Sequence, residues 1–550
     1  MVWNLFRRSM PVVVEPKREP PPTRPNRSNG RRAIRSASMF QAGTTDRFTG
    51  GMDSFPRHPD LVSMNELRAL IARSREQYAK NDYAKAFVRL CKTNIVGPNG
   101  VRLQSQAKDP NGTPDTLARR AIEDAWKEWS KPKNADMAGE RSFRALCDMA
   151  IASAAMNGEI LAVMVVGKEA GPWGFSLQLI DPVRLDLGLI RDEMPGGGFI
   201  RFGIEYDRYG RKVAYYFLSP SESMQMVATL GREPMIAYDG TTVMLGKTYQ
   251  RVPAEFVVHA FIPEVLGQKR GWPWMATSLL RMANVGGYED AALIAARVGA
   301  AKMGFFRPGE NADEDSLPED PQIPTDASPG TYDVLPRGWE FDRYDPTYPA
   351  GEFGPFMKAT LRGIASGLGV SYNSLANDLE GVSYSSLRQG ALDERDCWKV
   401  LQAWFIESFI QPIHDAWLPR ALLMGRITVA GASLKPSRID KYSAVGWQPR
   451  RWAWIDPQKE VSAAILAVDA RLRARGDVIR ESGDDPDDTW DEMAEEEARL
   501  KELGIAPLAD VVKQASAMAQ EAAADQTGDA GSDDSNKKKS KPKTKGNPDA

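Results

Sequence analysis

The most regular hydrophobic pattern in the chain lies between Trp272 and Gly425. Apolar and small residues at three- and four-residue spacing predict a helix from Pro273 to Lys302, and a second helix begins near Phe353. The first helix is crowded with alanine and glycine, and small side chains let the backbones of neighbouring helices approach closely. We therefore expect this helix to pack tightly against other helices.

An acidic segment separates these two helices. Phe305–Asp345 contains eleven carboxylates against three arginines and is rich in proline. A long segment without regular structure inside a compact domain is usually either functional or disordered. Because the chain leaves one helix and returns in another, the pattern predicts a two-legged protrusion. An acidic surface insertion without a role is the alternative interpretation.

A polar loop and one long helix follow the second helix. The loop covers Asn373–Ser386, and a sustained apolar stripe then runs from Leu387 to Leu423. Pro412 and Pro419 lack the backbone N–H that an α-helix needs, so the pattern predicts a kink or an end near them. The last predicted helices are Pro457–Arg475 and Asp488–Leu503.

Between Leu61 and Ile262 the pattern changes from helical spacing to apolar runs, which indicates an α+β domain. Ser63 and Glu66 form a capping box at the start of the first helix, and Ser142 is placed to cap a later one. Another predicted helix extends from about Asp82 to the turn at Gly97, and a further one extends from Thr116 to Trp129. The predicted strands are Ile160–Val166, Ser176–Ile180, Phe199–Tyr206, Lys212–Leu218 and Phe256–Phe261, with a hairpin between the third and the fourth.

Composition narrows the class of protein. A chain of 550 residues is long enough for several cores, and a net charge of −2 argues against a protein that coats nucleic acid. Basic residues are concentrated in Met1–Arg35, and low apolar content predicts a disordered basic arm over residues 1–60 and a disordered tail over 506–550. No apolar run is long enough to cross a bilayer and no signal peptide is recognised, so we expect a soluble intracellular protein.

The residues that carry most enzyme chemistry are sparse. The chain has no phosphate-binding loop and no nucleophile elbow. His58, His259 and His414 match no metal-binding pattern and are interpreted as hydrogen-bonded structural histidines, while Cys91, Cys147 and Cys397 fit a reducing compartment. The carboxylates between Glu481 and Asp488 lack the ligand spacing of an EF-hand and are interpreted as a solvated acidic face. We therefore expect no catalytic residue, no metal and no cofactor.

Several short motifs resemble the lambda-type portal proteins of tailed bacteriophages, and their order and spacing over Leu61–Gly504 are more specific than any one of them. The most specific motif extends from Leu361 to Tyr372 and is followed by Tyr384–Arg388. The others are Ala72–Arg75, Asn81–Ala84, Asn94–Val101, Asn157–Glu159, Leu179–Pro182 and Arg270–Pro273.

This resemblance implies an α+β portal fold that assembles into a ring, a dodecamer, at one capsid vertex. The implied parts are a basic arm (1–60), an α+β wing (61–272), stem helix 1 (273–302), a clip (303–351), stem helix 2 (352–370), a tunnel loop (371–386), a long wing helix with the segment behind it (387–456), a helical crown (457–505) and a tail (506–550).

The resemblance also implies which residues meet which partners. Double-stranded DNA would pass through the channel. The clip would bind the terminase large subunit and later the head-completion or adaptor proteins, and major capsid and scaffold proteins would surround the ring. No membrane is involved, and the protein would pass from the host cytoplasm to the virion.

The implied tunnel-loop residues are Asn377, Asp378, Glu380, Ser383 and Tyr384. The implied stem residues, facing the channel or pairing across subunits, are Arg281, Arg297, Lys302, Lys358 and Arg362. The implied clip residues are Asp313, Glu314, Asp315, Glu319 and Asp320.

Elementary electrostatics agrees with a conduit, because a channel lined with lysine and arginine would hold DNA tightly by counterion release. An acidic lining repels phosphates and lets DNA slide. Basic stem residues facing the channel would grip it, so pairing between subunits is the favoured role for them. Two other hypotheses stay open: a connector or scaffold ring without a DNA channel, and a metal-dependent nuclease that uses the acidic clusters.

Overall fold

The computed structural model describes residues 47, 51–219, 235–236, 238, 240–300, 304–308, 339–343, 353–380, 382–452, 457–483 and 485–504. Two compact units make up the chain, Met1–Leu61 and Val62–Ala550. Within the first unit Arg57 forms an ion pair with Asp53. Most of the predicted basic arm, the whole of the tail 506–550 and the five clip carboxylates Asp313, Glu314, Asp315, Glu319 and Asp320 lie outside the described residues.

Helices make up most of the described chain. They are α1 Pro59–Lys80, α2 Asp82–Cys91, α3 Thr116–Trp129, α4 Pro132–Ala135, α5 Phe143–Asn157, α6 Leu279–Ala300, α7 Phe353–Leu368, α8 Tyr372–Ala376, α9 Tyr384–Phe405, α10 Gln411–Leu423, α11 Ile439–Tyr442, α12 Pro457–Asp469, α13 Arg475–Ser482 and α14 Pro486–Glu502. Two π-helical turns continue α2 and α9, over Lys92–Val96 and Ile406–Ile410.

The strands are β1 Arg102–Ser105, β2 Glu159–Val166, β3 Phe175–Ile180, β4 Phe199–Arg201, β5 Ile204–Tyr206, β6 Lys212–Leu218, β7 Thr241–Met244, β8 Lys247–Pro253, β9 Val257–Phe261, β10 Gly304–Pro308, β11 Trp339–Arg343, β12 Thr428–Val429, β13 Ala432–Ser433 and β14 Val445–Gln448. A three-stranded sheet has the order β3-β2-β9, and a five-stranded sheet has the order β4-β5-β6-β8-β7. Three two-stranded pairs are β1-β14, β10-β11 and β12-β13.

The main core lies between β2 of the three-stranded sheet and the surrounding helices α2, α3, α5, α9 and α10. Strand β2 is buried along nearly its whole length, as its continuous apolar run predicts. Trp129 and Trp417 are among the largest fully buried side chains of this core. A second core lies between the two larger sheets, around Val163, Tyr215 and Phe217.

Helices with a clear capping signal begin where the sequence predicts. Asn81 accepts from the N–H groups of Tyr83 and Ala84, Asp115 accepts from Ala118, and Ser142 accepts from Ala145. The predicted cap at Ser63 is wrong, because α1 already begins at Pro59. Ser63 is buried inside the helix and accepts a hydrogen bond from Trp272 Nε1 at 3.0 Å.

One predicted strand needs correction, and one hairpin is missed. Phe199–Tyr206 is not one strand but a tight hairpin of β4 and β5, since Phe202 and Gly203 take positive φ angles of 53° and 79° and reverse the chain. The hairpin of β7 and β8, which the pattern does not predict, turns at Leu245 and Gly246, where φ is also positive. The predicted hairpin between β5 and β6 over Asp207–Gly210 is confirmed.

The long helix is confirmed, but its prolines do not end it. Helical structure continues from Tyr384 to Leu423, past both Pro412 and Pro419. The π-turn Ile406–Ile410 ends two residues before Pro412. This wider turn shifts the hydrogen-bond register close to the proline, which has no N–H to donate. The predicted helix Pro457–Arg475 ends earlier, at Asp469, since Arg471 takes a φ of 58°, and a separate helix that the pattern does not predict begins at Arg475.

A buried ion pair joins β2 to the segment that leads into α6. Arg270 is fully buried, and its Nε donates to both carboxylate oxygens of Glu159 at 2.9 and 3.0 Å. Burial alone would raise the pKa of Glu159, but the charge of Arg270 and a hydrogen bond from His259 hold it at about 2. The carboxylate is therefore ionised at neutral pH.

We expect Glu159→Gln to destabilise the subunit by about 3 to 5 kcal/mol, because it leaves the buried Arg270 without a counter-charge. Urea denaturation followed by tryptophan fluorescence measures the loss. The matched control is Glu76→Gln, which breaks the exposed pair with Lys80 and should cost far less than Glu159→Gln. Equal losses in the two variants would contradict a special role for the buried pair.

Candidate functional site

Helices α6 and α7 form the pair that the sequence assigns to the stem. Thr277 Oγ1 donates to the carbonyl of Gly367 at 3.3 Å, just before α6. Further along α6, Tyr288 stacks on Phe353 with ring centroids 5.5 Å apart. The contacts progress in opposite directions along the two helices, which are therefore antiparallel.

Glycine permits the closest approach of this pair. A Cβ atom at Gly367 would lie 2.5 Å from Ser278 Oγ, well inside van der Waals contact. Ser278 Oγ also lies 3.4 Å from the carbonyl oxygen of Ile364, to which it donates. This close approach depends on a glycine of α7 and on Ser278 before α6, whereas no atom of the described chain lies within 4 Å of a Cβ built on Gly287; close packing through the small residues of α6 stays a prediction. Stem helix 1 itself begins at Leu279 rather than at Pro273.

The first helix of the pair is also attached to the α+β domain. Asn81 Nδ2 donates to the carbonyl of Met282 at 3.1 Å, and Tyr83 Oη donates to Glu289 Oε1 at 3.0 Å. Burial, together with the neighbouring Glu289 carboxylate, raises the pKa of Tyr83 to about 12. Asn81 and Tyr83 both belong to one of the motifs that carry the family resemblance, and their contacts hold the base of α6 in place.

The face of α6 that carries Leu280, Ala283, Gly287, Ala291 and Ile294 is exposed in the single subunit. These residues are spaced three or four apart and therefore lie on one side of the helix. Leu280 and Ile294 are 75% and 60% exposed, which is unusual for a helix whose other side packs in the core. We call this surface the α6 stripe.

The polar loop is shorter than predicted. Its first part forms α8, with Ser371 as the cap, and its last residues begin α9, with Ser383 as the cap. Asn377 ends α8 in the left-handed conformation at a φ of 52°. Residues 377–380 and 382–383 therefore make up the described part of the loop, and Tyr384 is the first residue of α9.

Asp378 ties this loop to α7. Its Oδ2 accepts from Tyr372 Oη at 2.7 Å and lies 3.1 Å from Lys358 Nζ, while its Oδ1 accepts from the N–H of Glu380 at 3.0 Å. The hydrogen bond from Tyr372, the bond from Glu380 and the contact with Lys358 lower the pKa of Asp378 to about 2. The loop residue predicted to face DNA is thus held within its own subunit.

The basic stem residues behave in different ways. Lys358 pairs with Asp378, and Arg362 lies over the ring of Tyr372 at 5.5 Å. Arg281 packs close to Gly363. Within the described part of the chain, Arg281, Arg297 and Arg362 form no ion pair, and Lys302 lies outside that part. Pairing of these cations across subunits stays a prediction, whereas Lys358 has a partner in its own chain.

Only the two ends of the acidic excursion are described. Strands β10 and β11 pair along Gly304–Pro308 and Trp339–Arg343, so the two legs of the excursion are joined at their base. Arg307 and Glu340 lie 3.9 Å apart across this pair. The sequence pattern does not predict these strands, although their alternating aromatic residues are a usable signal.

The histidines differ from one another. His259 Nε2 lies 3.0 Å from Glu159 Oε2, so its predicted hydrogen bond is confirmed. His414 is buried among the rings of Trp126, Trp417 and Trp447. In the described chain neither of its ring nitrogens forms a hydrogen bond, so that prediction is wrong for His414.

The described residues hold no group of three or more histidine, cysteine, aspartate or glutamate side chains that is arranged to hold a metal ion. Nor do they include a helix that is both long enough and apolar enough to cross a membrane.

Comparison with known proteins identifies one family. The model described as "Phage portal protein, lambda family" matches residues 45–402. The chain is 33% identical over 456 residues to a probable portal protein of Halomonas phage phiHAP-1, covering 81% of this chain and 83% of that protein. It is 22% identical over 502 residues to portal protein B of Escherichia phage lambda, covering 79% and 84%.

Among solved structures, the chain is similar to a protein in the neck of an empty gene transfer agent particle. The TM-score is 0.40 at 14% identity, with 75% of this chain and 92% of that chain covered. This likeness is too distant to carry an argument about the present chain.

We expect Asn81→Ala to destabilise the subunit by about 2 kcal/mol, because it removes both the cap of α2 and the hydrogen bond to the carbonyl of Met282. Asn81→Ser keeps a capping oxygen but is too short to reach α6, so about half of that loss should remain. Urea denaturation separates the two contributions. A serine variant as stable as the native protein would show that the bond to α6 contributes nothing.

Proposed function

The chain belongs to the lambda family of phage portal proteins, which are structural components of the virion and not enzymes, and we propose that its copies form a closed ring around a DNA channel. In this proposal the ring sits at one capsid vertex, is assembled in the host cytoplasm and carries double-stranded DNA during packaging and ejection. Twelve subunits are the number that the family resemblance implies.

The α6 stripe is the observation that carries the proposal. A subunit that exposes Leu280 and Ile294 on either side of Ala283, Gly287 and Ala291 leaves apolar surface in water, and exposed apolar patches commonly mark interaction sites. Small residues in the middle of such a stripe let a neighbouring backbone approach closely. A ring requires the same surface to be covered in every copy by a different surface of the next copy. The α6 stripe is an exposed surface of the kind that the next copy would cover.

The parts of the portal are proposed from the order of the elements along the chain. We assign α1 to β9, with α9 and α10, to the wing, α6 and α7 to the stem, and the segment around β10 and β11 to the clip. The loop between α8 and α9 becomes the tunnel loop, and α12 to α14 become the crown. In support, the two stem helices are antiparallel and are attached to the wing at one end by Asn81 and Tyr83.

The charges of the described stem and loop are balanced, which suits a channel through which DNA must slide. Helix α7 carries Lys358 and Arg362, and the loop carries Asp378 and Glu380, so the two elements together hold two positive and two negative charges. An unbalanced basic lining would hold DNA by counterion release. We therefore assign the tunnel-loop residues Asn377, Asp378, Glu380, Ser383 and Tyr384 to the surface nearest the DNA.

The clip is the proposed docking surface for the terminase large subunit and for the head-completion or adaptor proteins. Its acidic excess would guide basic partner surfaces and repel DNA phosphates. Major capsid and scaffold proteins are the proposed neighbours of the ring in the procapsid. A connector ring without a DNA channel is the alternative, and negative-stain microscopy distinguishes the two by a central hole wide enough for duplex DNA.

We expect Gly287→Leu to abolish ring formation while the subunit stays folded. No atom lies within 4 Å of a Cβ built on Gly287, so the subunit itself accepts the larger side chain and could gain about 1 kcal/mol of helix propensity. A neighbouring subunit packed on the α6 stripe would not accept it. Native mass spectrometry measures the assembly state, and circular dichroism checks the fold.

The matched control for this variant is Gly390→Leu, at a helical glycine of α9 that also has no atom within 4 Å. Rings should form normally in the control. If Gly287→Leu assembled as well as the control, the α6 stripe would not be the subunit interface.

We expect replacement of Asp313, Glu314, Asp315, Glu319 and Asp320 by lysine to leave rings intact but to impair packaging. The change reverses the charge of the clip and so weakens both partner docking and repulsion of DNA. Nuclease protection of packaged DNA is the measurement, with ring formation checked by microscopy. The control carries asparagine or glutamine at the same positions, and full packaging by the lysine variant would remove the clip carboxylates from both roles.

A further inference from the structure

Two polar side chains meet the Asp378 carboxylate, and a second cation lies close by. Tyr372 Oη lies 2.7 Å and Lys358 Nζ 3.1 Å from Oδ2, and Arg362 lies over the same tyrosine ring. Lys358 and Arg362 are four residues apart on α7 and share one face of the helix. A hydroxyl donor beside two cations can bind an oxyanion. Such a group binds a phosphodiester as readily as it binds a carboxylate.

We propose that Lys358 and Arg362 of α7 and the hydroxyl of Tyr372 at the start of α8 form a phosphodiester-binding site, which Asp378 occupies until a phosphate of the DNA backbone displaces it. The inference rests on the proposed channel, since only DNA inside the ring would reach this site. Asp378 acts as an internal substitute for the phosphate and keeps the site closed in the empty channel.

The charge of the site favours exchange. Asp378 supplies one negative charge to Lys358, while Arg362 forms no ion pair with any residue that the structure describes. A phosphodiester has two unesterified oxygens with which to meet both cations. Asp378 contacts only Lys358, because its other oxygen accepts from the N–H of Glu380. Because Arg362 is exposed, an arriving phosphate gains an interaction that the carboxylate does not already have.

The present contact is also easy to replace. The side chains of Lys358 and Asp378 are 38% and 26% exposed, so a competing anion reaches them from solvent. Solvent-accessible ion pairs contribute little to stability, so separating Lys358 from Asp378 costs little free energy. Asp378 sits directly after Asn377, whose left-handed conformation ends α8, so the loop can leave the site without unwinding a long helix.

Exchange would link the position of the loop to the presence of DNA. In the empty channel the Lys358 cation is neutralised and the loop lies against α7. Where a phosphate takes the site, the loop carries a free carboxylate beside the DNA. When a phosphate binds, the released carboxylate of Asp378 stays close to the DNA and repels it. Each subunit therefore holds the DNA only briefly.

The test uses assembled rings and a labelled linear 30-base-pair duplex, with binding followed by fluorescence anisotropy from low to moderate salt. We expect Asp378→Asn to tighten binding about 3- to 10-fold at low salt and to steepen the plot of log K against log salt by roughly 0.9 for each additional phosphate that the ring neutralises. Lys358→Met added to Asp378→Asn should return both values to those of the native ring.

Glu380→Gln is the matched control, because it removes the same charge from an exposed side chain of the same loop. Exchange predicts a much smaller effect for this control. If Glu380→Gln and Asp378→Asn change binding equally, loss of loop charge alone explains the result and the site is refuted. If Asp378→Asn binds DNA as the native ring does, Asp378 only holds the loop, and the proposal is again overturned.

Two further measurements separate this proposal from the proposed function. Native mass spectrometry of the unmodified protein shows whether a ring exists, and a closed circular plasmid, which cannot enter the hole, reports binding to the outer surface. If rings form and bind linear DNA but the Asp378 and Glu380 variants do not differ, the channel stands and only the exchange fails. If no ring forms, the proposed function fails first.

Discussion

Glu159 and Arg270 are both fully buried, and neither charge could remain in the core without the other. Each further donor of Arg270 finds a backbone carbonyl: Nη1 donates to Leu185, and Nη2 donates to Pro182. Glu159 in turn accepts from the N–H of Gly271. The pair therefore fixes β2, the turn after β3 and the segment before α6 in one arrangement. Any other arrangement of these three segments would leave a charge unpaired in the core.

The charges around this pair explain the neighbouring titratable groups. Burial, followed by the positive charge of Lys212, lowers the pKa of His259 to about 4, so the imidazole is neutral at physiological pH. Its Nε2 can then donate to Glu159, while its Nδ1 accepts from Lys212 or Tyr215, which lie 3.4 and 3.3 Å away. A neutral histidine satisfies the carboxylate without adding a second buried cation to compete with Arg270.

Whether a contact of this structure can be predicted from the sequence depends on how far apart its residues lie along the chain. The cap at Ser142 acts within three residues and is predicted correctly, whereas the equally local signal at Ser63 is misleading because α1 begins earlier, at Pro59. Lys358 and Asp378 are both recognisable as stem and loop residues, but their contact requires α8 to turn the chain back on α7. Side chains that meet across a hundred or more residues, as Glu159 and Arg270 do, leave no local pattern. Only the family motifs mark them, and a motif does not state what its residues contact.

The same network determines where α6 begins. Gly158 and Gly271 bring two backbones together so closely that a Cβ on Gly158 would lie 2.2 Å from the carbonyl carbon of Trp272, and the φ of 90° at Gly158 also favours glycine. Trp272 is fixed in turn by its hydrogen bond to Ser63, and α6 starts seven residues later, at Leu279. A ring in which every subunit presents the same helix to its neighbour needs that helix held at one angle. Since backbone contact and a buried ion pair both act before the first turn of α6, the α+β domain sets the direction of this helix.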